Sequence, residues 1–161
     1  MDIYPLHVRV NGADIWLAWV EIPDAPPFVW HSDRRVFWAR RLPELQKLLS
    51  NAGLRSEDST SLSDIDHVLQ EIRNGRLDNP QDALNIWNFF TDFSYTLAEA
   101  DPGPYEADEG ELYDKLFSLS SVAEFMGIQP QNLDADELSR LAVIFEHGGQ
   151  LVVDNTVQRD N

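Results

Sequence analysis

The stretch Ala83–Leu97, ALNIWNFFTDFSYTL, decides how the rest of the chain is read. Asn79-Pro80 just ahead of it makes a helix start. The Asn side chain accepts from a free N–H, and Pro occupies a position whose own N–H would go unused. At about 100° per residue, Ala83, Ile86, Trp87, Phe90, Phe93, Ser94 and Leu97 fall on one broad arc. Asn85, Asn88, Asp92, Thr96 and Glu99 form a narrow polar stripe opposite, flanked by Leu84 and Phe89. A helix apolar over most of its circumference is a buried one. The pattern therefore predicts a core helix wrapped by other elements.

Toward the N-terminus the period changes to two. Leu6, Val8 and Val10 alternate with His7 and Arg9, and Asn11-Gly12 is the strongest short hairpin signal. Ile15–Ile22 continues as a strand with Trp16, Ala18 and Val20 on one face and Ile15, Leu17 and Trp19 on the other. Apolar residues on both faces predict a strand covered on both sides. Pro23, Pro26 and Pro27 end it, and Phe28–His31 with Arg35–Ala39 reads as a second hairpin about Ser32-Asp33. Pro43–Ala52 reads as a helix closed by Gly53, with Leu45, Leu48 and Leu49 as its buried stripe. Residues 54–63 read as a polar loop. Asp64 or Ser63 then caps a helix through Ile65, Val68, Leu69 and Ile72 that ends at Asn74-Gly75.

Beyond the core helix, Glu99–Glu111 is an acidic, exposed loop with Pro102, Gly103, Pro104 and Gly110. Leu112–Met126 begins as a helix, is broken or bent around Ser118–Ser121 and stops at Gly127. Asp136–His147 is a final helix, ended by Gly148-Gly149, with Leu151–Val153 a short return strand or a tail. Strands come first and helices afterwards, which predicts an α+β fold. The expected layout is one domain over 1–161. Antiparallel hairpins in 1–42 pack against a mainly helical 43–149, and 150–161 is a strand or tail.

A chain of 161 residues, 43% hydrophobic, is long enough for a core of its own. No apolar run approaches the roughly 20 residues that span a bilayer. MDIYPLHVRVNGAD lacks the basic-then-apolar layout of a secretory leader. With no cysteine there is no disulfide framework, thiolate zinc site or cysteine nucleophile, and a cytoplasmic setting is the expectation. The net charge is −16 and unevenly spread. Residues 1–50 hold six acids and six bases, so residues 51–161, with 22 acids and six bases, carry the whole excess. Such a field repels nucleic acid and anionic membranes and attracts basic partners; acidity also serves solubility alone.

The sequence carries few catalytic signatures. Glycine-rich phosphate loop, nucleophile elbow, HExxH pair and calcium loop are all missing from the sequence. His7, His31, His67 and His147 are scattered over different elements. Asp64-x-Asp66-His67 is the nearest approach to a metal cluster, but helix starts favour acids anyway. No metal and no cofactor is expected. Asn85, Asn88 and Asp92 are read as structural polar groups, Asn88 and Asp92 tying the core helix to a neighbouring backbone or to Arg40 or Arg41. Arg34-Arg35 and Arg40-Arg41 bracket VFWA, with pairing to the acidic half or phosphate binding as alternatives. Of the five tryptophans, Trp16, Trp19, Trp38 and Trp87 read as core and Trp30 as the exposed kind.

VFWARRLPELQKLL, ALNIWNFFTDFSYTL, LYDKLFSLSSVAEFMG and LDADELSRLAVIFEHGG together span Val36–Gly149. Their layout resembles that of small acidic bacterial immunity proteins encoded beside polymorphic or contact-dependent-inhibition toxins. Asn85, Trp87, Asn88, Phe90 and Asp92 match the helix motif of that layout. Tyr113, Asp114, Lys115, Leu116 and Phe117 match a second motif, and both sets are expected to support the fold. The resemblance implies a stoichiometric inhibitor, not an enzyme, that occludes the active cleft of a basic, nuclease-like toxin. Its contact surface is expected on Glu99, Asp101, Tyr105, Glu106, Asp108, Glu109, Glu111 and Asp114, with Tyr105 as aromatic anchor. The alternatives are a non-catalytic adaptor that uses a sheet edge, and an enzyme built on Asn88, Asp92 and an N-terminal histidine.

Overall fold

The computed structural model describes residues 1–32, 35–97 and 109–156. The order is β1 (Asp2–Val10), β2 (Ala13–Glu21), β3 (Phe28–Val29), β4 (His31–Ser32), β5 (Arg35–Val36), β6 (Trp38–Ala39), α1 (Leu42–Asn51), β7 (Ser61–Asp64), α2 (Ile65–Arg73), α3 (Pro80–Leu97), α4 (Gly110–Ser118), α5 (Ser121–Phe125) and α6 (Ala135–Asp154). The fold is α+β. No helix among the described residues is long and apolar enough to cross a membrane.

β1 and β2 form the predicted hairpin, with Val10 opposite Ala13 and Leu6 opposite Leu17. Asn11 and Gly12 both take positive φ, 50° and 73°, as a two-residue turn of this twist requires. Asp66 accepts from the Asn11 and Gly12 N–H groups at 2.7 and 2.8 Å, so the first turn of α2 holds the hairpin loop. The sheet order is β3-β2-β1-β7, with β6 also pairing β2. β4 and β5 make the small second hairpin, His31 opposite Val36. The expected polar loop 54–63 is corrected at its end: Ser61–Asp64 is a strand, parallel to β1. Asp64 then caps α2 by accepting from the His67 N–H.

Both faces of the hairpin are covered. Leu6, Val8, Val10, Ile15 and Leu17 join the main core with α2, α3, α4 and α6. Ile3, Ala18 and Val20 pack on Leu45 and Leu49 of α1. Within the main core Phe90 and Phe93 of α3 are fully buried, and Phe90 meets Phe145 of α6 edge to face at 5.6 Å. The core-helix reading of α3 stands, and it is wrapped more completely than the pattern implied. Leu84, Phe89 and Thr96 are buried as well. Thr96 lies in the supposed polar stripe, yet its Oγ1 donates to the Asp92 carbonyl and accepts from the Val29 N–H. It fastens α3 to β3.

Two further readings are corrected. Gly148-Gly149 does not end the last helix, and Leu151–Val153 is neither strand nor tail, because α6 runs unbroken to Asp154. The glycines are buried because α3 and β1 approach there. A Cβ on Gly148 would lie 2.5 Å from the Phe90 ring, and one on Gly149 would lie 3.1 Å from Val10. Trp30 is half-buried, stacked on Phe37 at 4.2 Å, and so resembles Trp16, Trp19 and Trp38 in exposure. The bend at Ser118–Ser121 is present: Ser120 caps α5 by accepting from the Ala123 N–H. Gly127, at φ 73°, follows as its stop.

Candidate functional site

The candidate surface begins where α4 packs on α3. Tyr113 of α4 meets Trp87 edge to face at 5.6 Å, and its hydroxyl donates to Asn88 Oδ1 at 3.1 Å. Asn88 therefore ties α3 to α4 through a tyrosine, not through Arg40 or Arg41. Arg41 instead pairs with Glu44 one turn along α1. Asn85 accepts from Gln81 at 2.9 Å. Asp92 is half-buried, and desolvation pushes its carboxyl up to about 6.

With α4 fixed in this way, its outer face carries Glu111 and Asp114, both exposed. Glu109, half-buried, precedes its first turn. Of the expected contact residues, Glu99, Asp101, Tyr105, Glu106 and Asp108 lie outside the described residues. Lys115 reaches from α4 to Glu137 in the first turn of α6. The Glu137 hydrogen bond holds the ammonium above its ordinary range, and the charges of Glu137, Asp134 and Glu111 add to this. The same contact holds the Glu137 carboxyl below its ordinary value. Asp134 and Glu137 also close a capping box on α6. The Ser118 hydroxyl accepts from the Gln131 N–H at 2.9 Å, folding the 128–133 connection back onto the end of α4. Residues 109–140 thus form one corner with seven carboxylates and two cations, of which Lys115 is held by Glu137. The chain matches no family model, no curated protein and no solved structure.

A groove of about 510 Å³ lies beside α3, lined by residues that include Tyr4, Trp19, Glu21, Leu62, Asn85 and Asn88. Burial first, and then the charges of Asp2, Glu21 and Glu57, hold the Tyr4 hydroxyl above its usual range. Neither Asp92 nor any histidine is among the lining residues, so the groups named for an enzyme do not converge there. The opposite face of the sheet holds a pair that the sequence reading missed. His7 Nε2 lies 2.7 Å from Asp14 and its ring stacks on Trp16 at 4.5 Å. Arg9 bridges Asp14 and Asp64. The signal was available: a two-residue turn at Asn11-Gly12 places His7 across from Trp16 and Arg9 across from Asp14. Asp64 and Asp66 are engaged as helix cap and turn acceptor, and no group of three metal-binding side chains occurs among the described residues.

Proposed function

We propose that this protein is a stoichiometric, non-catalytic binding protein whose acidic corner docks on a cationic surface of a partner protein. The specific form implied by the resemblance is an immunity protein that covers the active cleft of a basic, nuclease-like toxin. The observation that carries the reading is the corner of α4, α5 and the start of α6. Residues 109–140 there hold seven carboxylates against Lys115, which is already committed to Glu137, and Arg140. Other described cations are also used internally: Arg9 with Asp14 and Asp64, Arg73 with Glu146, Arg76 with Asp78. The excess carboxylates supply a long-range attraction that raises association rate with a basic partner and weakens with salt. A cysteine-free chain of this kind fits the cytoplasm, where such a toxin would be met.

The test is calorimetric titration against a panel of basic nuclease toxin domains, including the product of the adjacent gene, at 50 and 300 mM NaCl. A 1:1 complex is expected that weakens at least tenfold at the higher salt and is lost in Glu111→Lys/Asp114→Lys/Asp136→Lys. The absence of any low-salt complex across the panel refutes the reading. A second reading, an adaptor that pairs through a sheet edge, draws on β7. It is the outer strand of the sheet and leaves Leu62 54% exposed. Light scattering that shows a stable oligomer abolished by Leu62→Lys would favour it.

A further inference from the structure

Within the acidic corner one element presents apolar side chains to water. α5 and its following turn leave Phe125 93% exposed, Met126 63%, Val122 49% and Ile128 37%. Single exposed apolar residues are ordinary on a protein surface, but four within seven positions form a patch. The patch is held from behind. Ala123 is fully buried, its N–H donates to the Ser120 cap, and its carbonyl accepts from the Ile128 N–H at 2.9 Å. Ser121 donates from both its N–H and its hydroxyl to Gln81 of α3, at 3.2 and 2.9 Å. The outward residues therefore sit on a fixed backbone, and little ordering remains to be done on binding.

We propose that α5 is the apolar centre of the docking surface, and that the partner offers a hydrophobic pocket bordered by lysines or arginines. This rests on the binding reading above and says which residues anchor it. Glu124 lies within the patch, Glu111 and Asp114 belong to the adjoining α4, and Asp134 and Asp136 stand at the start of α6, which Lys115 ties to α4. An aromatic residue with an adaptable methionine, next to Glu124 and on the element that follows the acidic α4, matches the arrangement of a central anchor with a charged border. Charge selects the occupant. A second copy would bring seven carboxylates against seven, and an anionic membrane would be repelled. A cationic protein surface satisfies both the apolar centre and its border.

The test uses the full chain and three labelled 14-residue helical peptides, read by fluorescence anisotropy at 50 mM NaCl: Lys/Leu amphipathic, Glu/Leu amphipathic, and Lys/Ser without an apolar face. The Lys/Leu peptide is expected to bind at least tenfold more tightly than the other two. Phe125→Ser/Met126→Ser should lower that affinity at least tenfold, as should Glu124→Lys/Glu111→Lys. Val143→Ser, which removes an exposed apolar residue on α6, should leave it unchanged. Unchanged melting temperatures would confirm that each variant is folded. Equal binding of Lys/Leu and Lys/Ser, indifference to Phe125→Ser/Met126→Ser, or self-association abolished by that variant each overturns the proposal. A basic toxin bound equally well by wild type and by Phe125→Ser/Met126→Ser removes this inference and leaves the charge-led reading standing. Lys/Leu binding that needs Phe125 while no toxin binds does the reverse.

Discussion

Gly148→Ala is the substitution for which the structure makes the sharpest demand. In the middle of a helix the change should help, since alanine is favoured over glycine by about 1 kcal/mol. Here the added methyl would sit 2.5 Å from Cγ and Cδ2 of Phe90, about 1 Å inside ordinary carbon–carbon contact. The ring has nowhere to go: Phe90 is fully buried, with Phe89 on one side and Phe145 edge-on at another. Overpacking of this kind costs about 1–3 kcal/mol or more. Taking the upper part of that range and subtracting the helix gain leaves a net loss of about 2 kcal/mol. For a chain of this size that corresponds to a fall in Tm of about 4–8 °C. Gly149→Ala is the internal control, because its methyl would meet only Val10 Cγ2 at 3.1 Å and Ile65 at 3.8 Å. A small shift of Val10 relieves that contact, so its net effect should stay within about 1 kcal/mol of zero. Urea titrations monitored by circular dichroism give both values. Phe90→Leu combined with Gly148→Ala should be more stable than the sum of the single changes by more than about 1 kcal/mol. If Gly148→Ala is as stable as wild type, or if the two changes are additive, the α3–α6 approach is not as described.

Two further outcomes follow from the polar anchors. Asp92 is raised to about 6 in the folded protein from an ordinary 3.8, so the folded state binds the proton more tightly. Its contribution is full below about pH 4 and is lost as pH rises through about 6. Asp92→Asn should match wild type near pH 4 and exceed it at pH 7 by roughly 1–2 kcal/mol, a figure reduced for the group's partial contact with solvent. A difference that does not vary with pH counts against this. Asp66→Ala removes the acceptor of two turn N–H groups and should cost roughly 1–2 kcal/mol. Amide exchange should accelerate selectively at Asn11 and Gly12, and unchanged exchange there would show that the hairpin turn stands without α2.

Much of the architecture was legible because several signals agreed at one place. Asn11-Gly12 sits between alternating strands, Asn79-Pro80 precedes an aromatic arc, and a serine-rich break separates two helical patterns; each produced the element it suggests. β7 was missed because SLSD carries no strand signal of its own. Its pairing is set by β1, an element more than fifty residues earlier. Gly148-Gly149 misled because glycine reads as a helix stop, whereas here it makes room for Phe90 and Val10. The polar stripe of α3 was drawn too wide at Thr96, whose hydroxyl is used by the neighbouring strand. Of the candidate surface, charge was legible and placement only in part. Nothing in VAEFMGI distinguishes an apolar residue that faces water from one that faces the core. That distinction arises from Ala123 being the buried side of a single helical turn.

The close approach of Gly149 to Val10 and Ile65 also bears on how the chain is made. The first strand is roofed by the last helix, so the hairpin of β1 and β2 leaves the ribosome long before its cover exists. At about 5–20 residues per second, the interval between synthesis of Glu21 and of Asp154 is roughly 7–27 s. During it Leu6, Val8, Ile15 and Leu17 gain their partners from α2, α3 and α4 in turn, and those from α6 come last. Chaperone capture of nascent chains should therefore concentrate on this hairpin, and translation rate downstream becomes a determinant of yield.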